Sequence, residues 1–154
     1  MNSEDKYEAL LLRNQLCFPF YAATRKIISA YTPLLKEINL TYPQYITMMV
    51  LWETNTLSMH DLCKYLYLDS GTLTPLLKKL ESMGLICRKR STEDERVLLV
   101  SITEAGLKLR DKALTVPEGM ICRVNRNGEL FGKEEAEKLK KQLYRIIEVL
   151  DSTS

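Results

Sequence analysis

Only three residues, Tyr67, Leu68 and Asp69, separate two short helical patterns in the stretch from Ser58 to Ile102. So short a link makes the two helices cross at a steep angle, as in a helix-turn-helix. The second pattern gathers Leu73, Leu76, Leu77 and Leu80 on one stripe that must face a core, with Thr72, Thr74, Lys78, Lys79 and Ser82 on the other side. Gly84 stands where a left-handed residue ends a helix. Pro75 requires the helix to start between Ser70 and Thr72, so that the proline falls near its first turn. In the helix before it, Ser58 and Asp61 form the pattern of a capping box, and Leu62 and Leu66 supply the inner face.

Leu85 to Arg90 and Val97 to Ile102 are rich in aliphatic and β-branched residues, and the segment Ser91 to Arg96 between them is almost wholly polar. This is the pattern of a hairpin with a protruding tip. Arg88, Lys89 and Arg90 climb one strand, Arg96 opens the other, and Glu93, Asp94 and Glu95 occupy the tip. Three acids would oppose a plain phosphate-binding patch, so Asp94 is expected to pair with a neighbouring arginine and aim it, as an arginine entering a narrow minor groove would need. A helix-turn-helix followed by such a hairpin is a winged helix, a mainly α fold with a small β-hairpin wing (α+β). In that fold the second helix enters the major groove. Ser70, Thr72 and Thr74 would then meet base edges, and Lys78, Lys79, Arg88, Arg90 and Arg96, the last oriented by Asp94, would meet the duplex around them. Taken alone, the second helix reads equally well as an ordinary solvated face.

Asp94-Glu95-Arg96, the strand Val97 to Ile102, and Thr103-Glu104-Ala105-Gly106 resemble the wing signature of the MarR family of bacterial repressors, with Ile102 where leucine is usual. LCF at Leu16 to Phe18, LTYPQY at Leu40 to Tyr45 and LYLDSGTLTPLLKKLE at Leu66 to Glu81 are similar to the OhrR subgroup, which senses organic hydroperoxides. The resemblance spans nearly the whole chain. It implies a single MarR-like domain over residues 1–154, with the winged helix at about 42–102 and dimerisation helices at about 6–32 and 103–150. It also implies a cytoplasmic homodimer that binds an inverted-repeat DNA operator, takes an organic hydroperoxide as oxidant, needs no cofactor or metal, and is not an enzyme.

Composition fits a small regulator. A chain of 154 residues with 45% hydrophobic content can bury a core, and its net charge of +2 is too small to announce nucleic acid without the cluster from Lys78 to Arg90. No stretch is apolar for long enough to span a membrane, and the opening MNSEDKYEALLLRN carries acids where a signal peptide carries bases. The four cysteines, Cys17, Cys63, Cys87 and Cys122, are far apart, and His60 with Cys63 is too small a set for a zinc site. Cys63 and Cys87 read as small hydrophobes in or near the core.

Upstream, a long helix is expected from about Lys6 to Thr32, ended by Pro33 and kinked at Pro19, followed by a short Leu34 to Ile38 segment. Thr41 should cap a helix to about Glu53, with Tyr45, Met48, Met49 and Trp52 as its core face and Thr54 to Leu57 as a loop. Downstream, Thr103 caps a helix to about Leu114 that Pro117 and Gly119 break or bend. Asn125 to Gly132 looks like a small insertion. A last helix from Lys133 to Leu150 carries Ala136, Leu139, Leu143, Ile146, Ile147 and Leu150 on one side. Apolar stripes at both ends of the chain call for a second copy to bury them.

Cys17 has Arg13 one turn before it and Tyr21 one turn after, a setting that favours a thiolate. A buried thiol in the dimer core is the plainer alternative. In the resembled subgroup the Leu-Cys-Phe cysteine is the peroxide-reactive one. Two tyrosines that hydrogen-bond it match Tyr31 and Tyr42, and Cys122 matches the resolving cysteine of the two-cysteine type. Tyr31 lies 14 residues beyond Cys17, about 21 Å along a continuous helix, so any contact between the two comes from the partner chain. The resemblance therefore implies release of DNA by oxidation of Cys17 and a disulfide with Cys122 of the partner subunit. The alternatives are a MarR-type repressor released by a small phenolic or apolar ligand without cysteine chemistry, and a thiol peroxidase, for which no reductant route or substrate pocket is evident.

Overall fold

A computed structural model describes residues 5–125 and 132–152. The chain divides into two compact units, Met1–Val116 and Pro117–Ser154. The first begins with 3-10 turns at Asp5–Leu10 and Leu12–Asn14. It continues through α1 (Cys17–Lys36), α2 (Tyr42–Thr54), β1 (Thr56–Ser58), α3 (Met59–Leu66), α4 (Ser70–Ser82), β2 (Ile86–Arg90), β3 (Leu98–Ile102) and α5 (Glu104–Ala113). α6 (Thr115–Val124) crosses the boundary, and α7 (Lys133–Asp151) lies in the second unit.

The first helix starts eleven residues later than its periodicity predicts. The side-chain amides of Asn14 and Gln15 turn back to donate to the carbonyls of Glu8 and Ala9, which gives the backbone an alternative to the α-ladder. Pro19 then sets the start: its ring would strike the carbonyl of Gln15 in a longer helix, whereas in a helix beginning at Cys17 it sits in the first turn, where its missing N–H has no partner to lose. Pro19 is therefore not a mid-helix kink. Pro33 does not end α1 either, because it removes only the bond to the exposed Ser29 carbonyl and the helix runs on to Lys36, absorbing most of the expected Leu34 to Ile38 segment. Pro117 repeats the device. α5 stops at Ala113, and the proline falls in the first turn of α6, with Gly119 inside that helix.

α2 is the centre of the first unit, touching α1, α3, α4, α5, β1 and β3. A complete capping box opens it: Gln44 N–H donates to the Thr41 hydroxyl (3.5 Å) and Thr41 N–H to Gln44 Oε1 (2.8 Å). Tyr45, Met48 and Leu51 are buried in one cluster with Leu35, Leu62, Leu73, Leu77, Leu80, Ile86 and Val100. Met49, expected on the same face, is exposed, and Thr47 is buried instead, its hydroxyl satisfied by the Pro43 carbonyl at 2.8 Å. Burial of this kind contributes about 1.5–3 kcal/mol per large side chain.

The segment read as a loop at Thr54 to Leu57 supplies an extra strand. β1 pairs antiparallel with β3 (Leu57 opposite Val100), and the sheet order is β1-β3-β2, with Arg88 of β2 also opposite Val100. In the second unit α7 opens at Gly132, whose N–H donates to Glu135. None of its described residues is buried, so the stripe Leu143, Ile146 and Leu150 faces solvent. Most of the expected insertion, residues 126–131, lies outside the described residues. No described helix is long and apolar enough to cross a membrane.

Gly106 locks α5 to the sheet. Trp52 Nε1 donates to its carbonyl at 2.9 Å, and a Cβ at this position would collide with the Leu85 carbonyl oxygen and stand 2.7 Å from Ile102 Cγ1. Gly106→Ala is expected to destabilise the fold by about 1–3 kcal/mol, measured as a lower urea midpoint at unchanged slope. An unchanged midpoint would contradict this packing.

Candidate nucleic-acid interface and thiol site

α3 and α4 are fastened by local caps. Ser58 accepts from Asp61 N–H (3.1 Å), which makes the N-cap half of the expected capping box, while Asp61 Oδ2 accepts from the Ser58 hydroxyl (2.6 Å) and not from its backbone N–H. The turn is made by Tyr67, held in the left-handed region at φ 52°, an uncommon place for an aromatic residue. Asp69 caps α4, accepting from Thr72 N–H and from the Thr72 hydroxyl, both at 2.8 Å. Those bonds hold the Asp69 carboxyl below its ordinary pKa. Gly84, at φ 73°, follows α4, adopting the left-handed backbone expected after a helix end.

The exposed N-terminal face of α4 differs in chemistry from a row of free hydroxyls. The hydroxyl hydrogen of Thr72 goes to Asp69, and that of Thr74 to the Ser70 carbonyl at 2.6 Å. Neither hydroxyl hydrogen is therefore free to donate outward, which leaves both groups to act as acceptors. α4 starts at Ser70, within the expected range, which places Pro75 just past its first turn, and the absent proline N–H leaves the Gly71 carbonyl without its helical partner. Lys78 and Lys79 are exposed and form no ion pair among the described residues.

The wing sorts its arginines into different jobs. Arg88 is turned inward: its backbone N–H donates to Glu81 Oε1 (3.0 Å), and its Nε and Nη2 donate to Glu81 Oε2 (3.1 and 2.6 Å). Its side chain is only 18% exposed. Arg90 reaches across the hairpin to the carbonyls of Glu95 (3.0 Å) and Arg96 (3.2 Å). Arg96 is 90% exposed and held at its root by Asp94, which accepts from its backbone N–H (3.0 Å), Nε (3.0 Å) and Nη2 (3.1 Å). Ser91 steadies the tip by accepting from the N–H groups of Glu93 and Asp94. Glu81 was not singled out in the sequence. Its signal was a carboxylate at the end of α4, with Arg88 on the far side of a short turn.

The thiols lie elsewhere. Cys17 is the first residue of α1 and is exposed. Among the described residues no side chain bonds its sulfur. Arg13 lies in the 3-10 turn Leu12–Asn14, off the α1 helix, so the expected one-turn alignment with Cys17 is absent. The Tyr21 hydroxyl accepts from Arg25 (2.8 Å), whose guanidinium also lies 5.6 Å from the Tyr21 ring centre. Tyr31 and Tyr42 are brought together, ring centres 4.9 Å apart, with Tyr45 6.1 Å from Tyr31. Burial, with the neighbouring Tyr42, pushes the Tyr31 phenol above its ordinary pKa. Cys17 begins α1 and Tyr31 lies well along the same continuous helix, which runs on to Lys36. Cys122 is exposed on α6, in the second unit. Cys63 and Cys87 are half-buried, and burial, then the charge of Asp69, raises the Cys63 pKa.

Hydrogen bonds from Arg96 hold the Asp94 carboxyl below the ordinary range. A depressed folded-state pKa means that this pairing contributes fully above the ordinary carboxylate value and is lost as pH falls through the lowered one. Carboxyl NMR should find Asp94 titrating below the ordinary aspartate range, and Arg96→Ala, which removes the side-chain bonds and keeps the backbone one, should move it back towards that range. An unshifted midpoint in both proteins would refute the pairing.

Residues 29–113 match the family described as transcriptional regulator SarA/Rot. Over 147 residues the chain is 46% identical to the organic hydroperoxide resistance transcriptional regulator of Bacillus subtilis, covering 96% of this chain and 97% of that protein. It is 38% identical to the regulator SarZ of Staphylococcus epidermidis over 136 residues, 88% of each. Among solved structures, AbfR of Staphylococcus epidermidis superimposes with a TM-score of 0.74 at 31% identity, over 96% of this chain and 98% of that one. AbfR is known reduced on DNA (TM-score 0.73), overoxidised on DNA (0.74) and in a disulfide-formed state (0.60). The chain thus belongs to the MarR/SarA family of winged helix-turn-helix transcriptional regulators, with an organic hydroperoxide resistance regulator as a relative along nearly its whole length.

Proposed function

We propose that this protein is a homodimeric repressor that holds an inverted-repeat operator when reduced and leaves it when an organic hydroperoxide oxidises Cys17. The observation that carries the reading is an exposed thiol at the head of α1, in a chain 46% identical to a hydroperoxide resistance regulator over 96% of its length. Ser70, Thr72 and Thr74 at the start of α4 meet base edges, Lys78 and Lys79 meet phosphates, and Arg96, aimed by Asp94, enters the adjoining groove. Two such helices about 34 Å apart fit half-sites one turn apart.

The dimer follows from what each chain leaves bare. Leu16, Phe18, Phe20, Tyr21, Ile27 and Ile28 on and beside α1 are exposed, as are Leu143, Ile146, Val149 and Leu150 on α7. A second copy removes these apolar side chains from water. Deleting Lys133 to Ser154 should leave a monomeric or aggregated chain that does not hold an inverted repeat. A truncated chain that is dimeric by light scattering and binds normally would overturn this part of the reading.

In the sensing step the Cys17 thiolate attacks the hydroperoxide O–O bond, taking one oxygen to become a sulfenic acid and releasing the alcohol. Negative charge on Cys17 lies at the positive end of the α1 dipole, and Tyr31 and Tyr42 of the partner subunit steady it, with Tyr21 on the same helix. Cys122 of the partner subunit then attacks the sulfenic sulfur, forming a disulfide and expelling water. The disulfide is the releasing event in this scheme. Its support is that overoxidised AbfR, like reduced AbfR, is found on DNA, while the disulfide-formed state is the one whose fold departs furthest from this chain. In that relative the overoxidised state is thus compatible with DNA binding.

The test uses an inverted repeat selected from random duplexes by the reduced wild-type protein. Stoichiometric cumene hydroperoxide should release wild type and produce a disulfide-linked dimer on non-reducing gels. Cys63→Ser and Cys87→Ser should behave alike. Cys17→Ser should stay bound, and Cys122→Ser should overoxidise at Cys17 and stay bound. A dimer band that survives loss of Cys122 refutes the disulfide, and release of Cys17→Ser refutes the sensor. One observation favours the ligand-released alternative, a cleft of about 500 Å³ lined by Ile28, Leu35, Leu40, Tyr42, Lys79 and Met83 among others. An apolar ligand seated there would release Cys17→Ser and wild type equally.

A further inference from the structure

Glu81 lies in the last turn of α4, and Arg88 lies at the middle of β2, seven residues later. The sheet order leaves β2 at an edge, while β3 is braced on its other side by β1. Among the described residues the Glu81–Arg88 pair is the one ion pair that joins α4 to the wing. It takes three hydrogen bonds, which use both carboxylate oxygens, the guanidinium fork and the strand's own N–H. The backbone bond fixes where β2 starts relative to α4, and the fork fixes its rotation.

We infer that Glu81 is a positioning residue for DNA recognition: through Arg88 it sets the pitch of the wing against α4, so that the helix and Arg96 meet the same duplex at once. The inference rests on the functional reading above. The lever arm shows why such a clamp matters. A five-residue strand places the wing tip about 17 Å from its root, so a rotation of about 10° at the root moves the tip by about 3 Å, a full hydrogen-bond length. Arg90 stiffens the lever by tying the end of β2 to the far side of the tip, through the carbonyls of Glu95 and Arg96. Arg88 and Arg90 hold the wing, and Arg96 makes its contact.

Glu81→Gln preserves size and helix preference but sets an amide NH₂ or a neutral oxygen against the guanidinium. Operator affinity is compared by fluorescence anisotropy for wild type, Glu81→Gln, Arg96→Ala and the double variant, with thermal midpoints and dimer mass recorded alongside. Glu81→Gln and Arg96→Ala should each weaken binding about tenfold, and the double variant should be little worse than either, because a wing that is no longer aimed has no arginine contact to lose. Arg88→Lys, which keeps the charge and loses the fork, should reproduce this pattern and guards against a folding defect in Glu81→Gln. The clamp is overturned if Glu81→Gln and Arg88→Lys bind as wild type does, or if their penalties multiply with that of Arg96→Ala. Failure of wild type to select any inverted repeat would instead sink the functional reading, and it is seen before the variants are compared.

Discussion

Removal of water from the packed face of α2, which meets six other elements, is the constraint on which the rest of the first unit depends. Met48 and Leu51 have no exposed surface, and the elements around them, from α1 to β3, each contribute a residue to the same cluster. A helix buried this way cannot carry unpaired polar groups, so its two buried polar side chains are both settled locally, Gln44 in the capping box and Thr47 on the Pro43 carbonyl. With α2 fixed, the leucine stripe of α4 has one place to go, and the direction in which α4 leaves the body follows from it.

On that rigid base the charged residues differ by reach, not by type. Arg96 finds its carboxylate two positions away and projects into solvent. Arg90 finds backbone carbonyls across the hairpin, and Arg88 finds Glu81 across the turn that joins helix to strand. Arg88 commits the fork of its guanidinium to Glu81 and is mostly buried, so the wing presents less free positive charge than its sequence counts, whereas Arg96 pairs along one edge and keeps its other N–H donors in solvent.

Features set by neighbours three or four residues apart were legible in the sequence. The N-caps at Ser58 and Thr41, the α4 stripe and the glycine after it all follow from local geometry, and the pairing of Asp94 with Arg96 needed only adjacency. What was not legible was set over longer range or by competition. β1 is three residues long and exists because β3, some forty positions on, accepts it. The late start of α1 reflects a contest between an α-ladder and the amides of Asn14 and Gln15, which apolar spacing does not register. The Arg88–Glu81 pair crosses a turn whose angle no pattern encodes. For Cys17, Tyr31, Tyr42 and Cys122 periodicity was silent, and likeness to known regulators singled them out.

Trp52 has a consequence beyond packing. It is the chain's single tryptophan, with its indole N–H on the Gly106 carbonyl and its ring 6.2 Å from Tyr45, which in turn lies beside Tyr31. Indole emission responds to hydrogen bonding and to the polarity around the ring, so the molecule carries its own optical gauge at the joint between α2 and α5. The gauge needs no label, and the tyrosines beside it feed it excitation by energy transfer. Any rearrangement that separates the tyrosine cluster from the base of the wing changes both the colour of that emission and the efficiency with which it is excited.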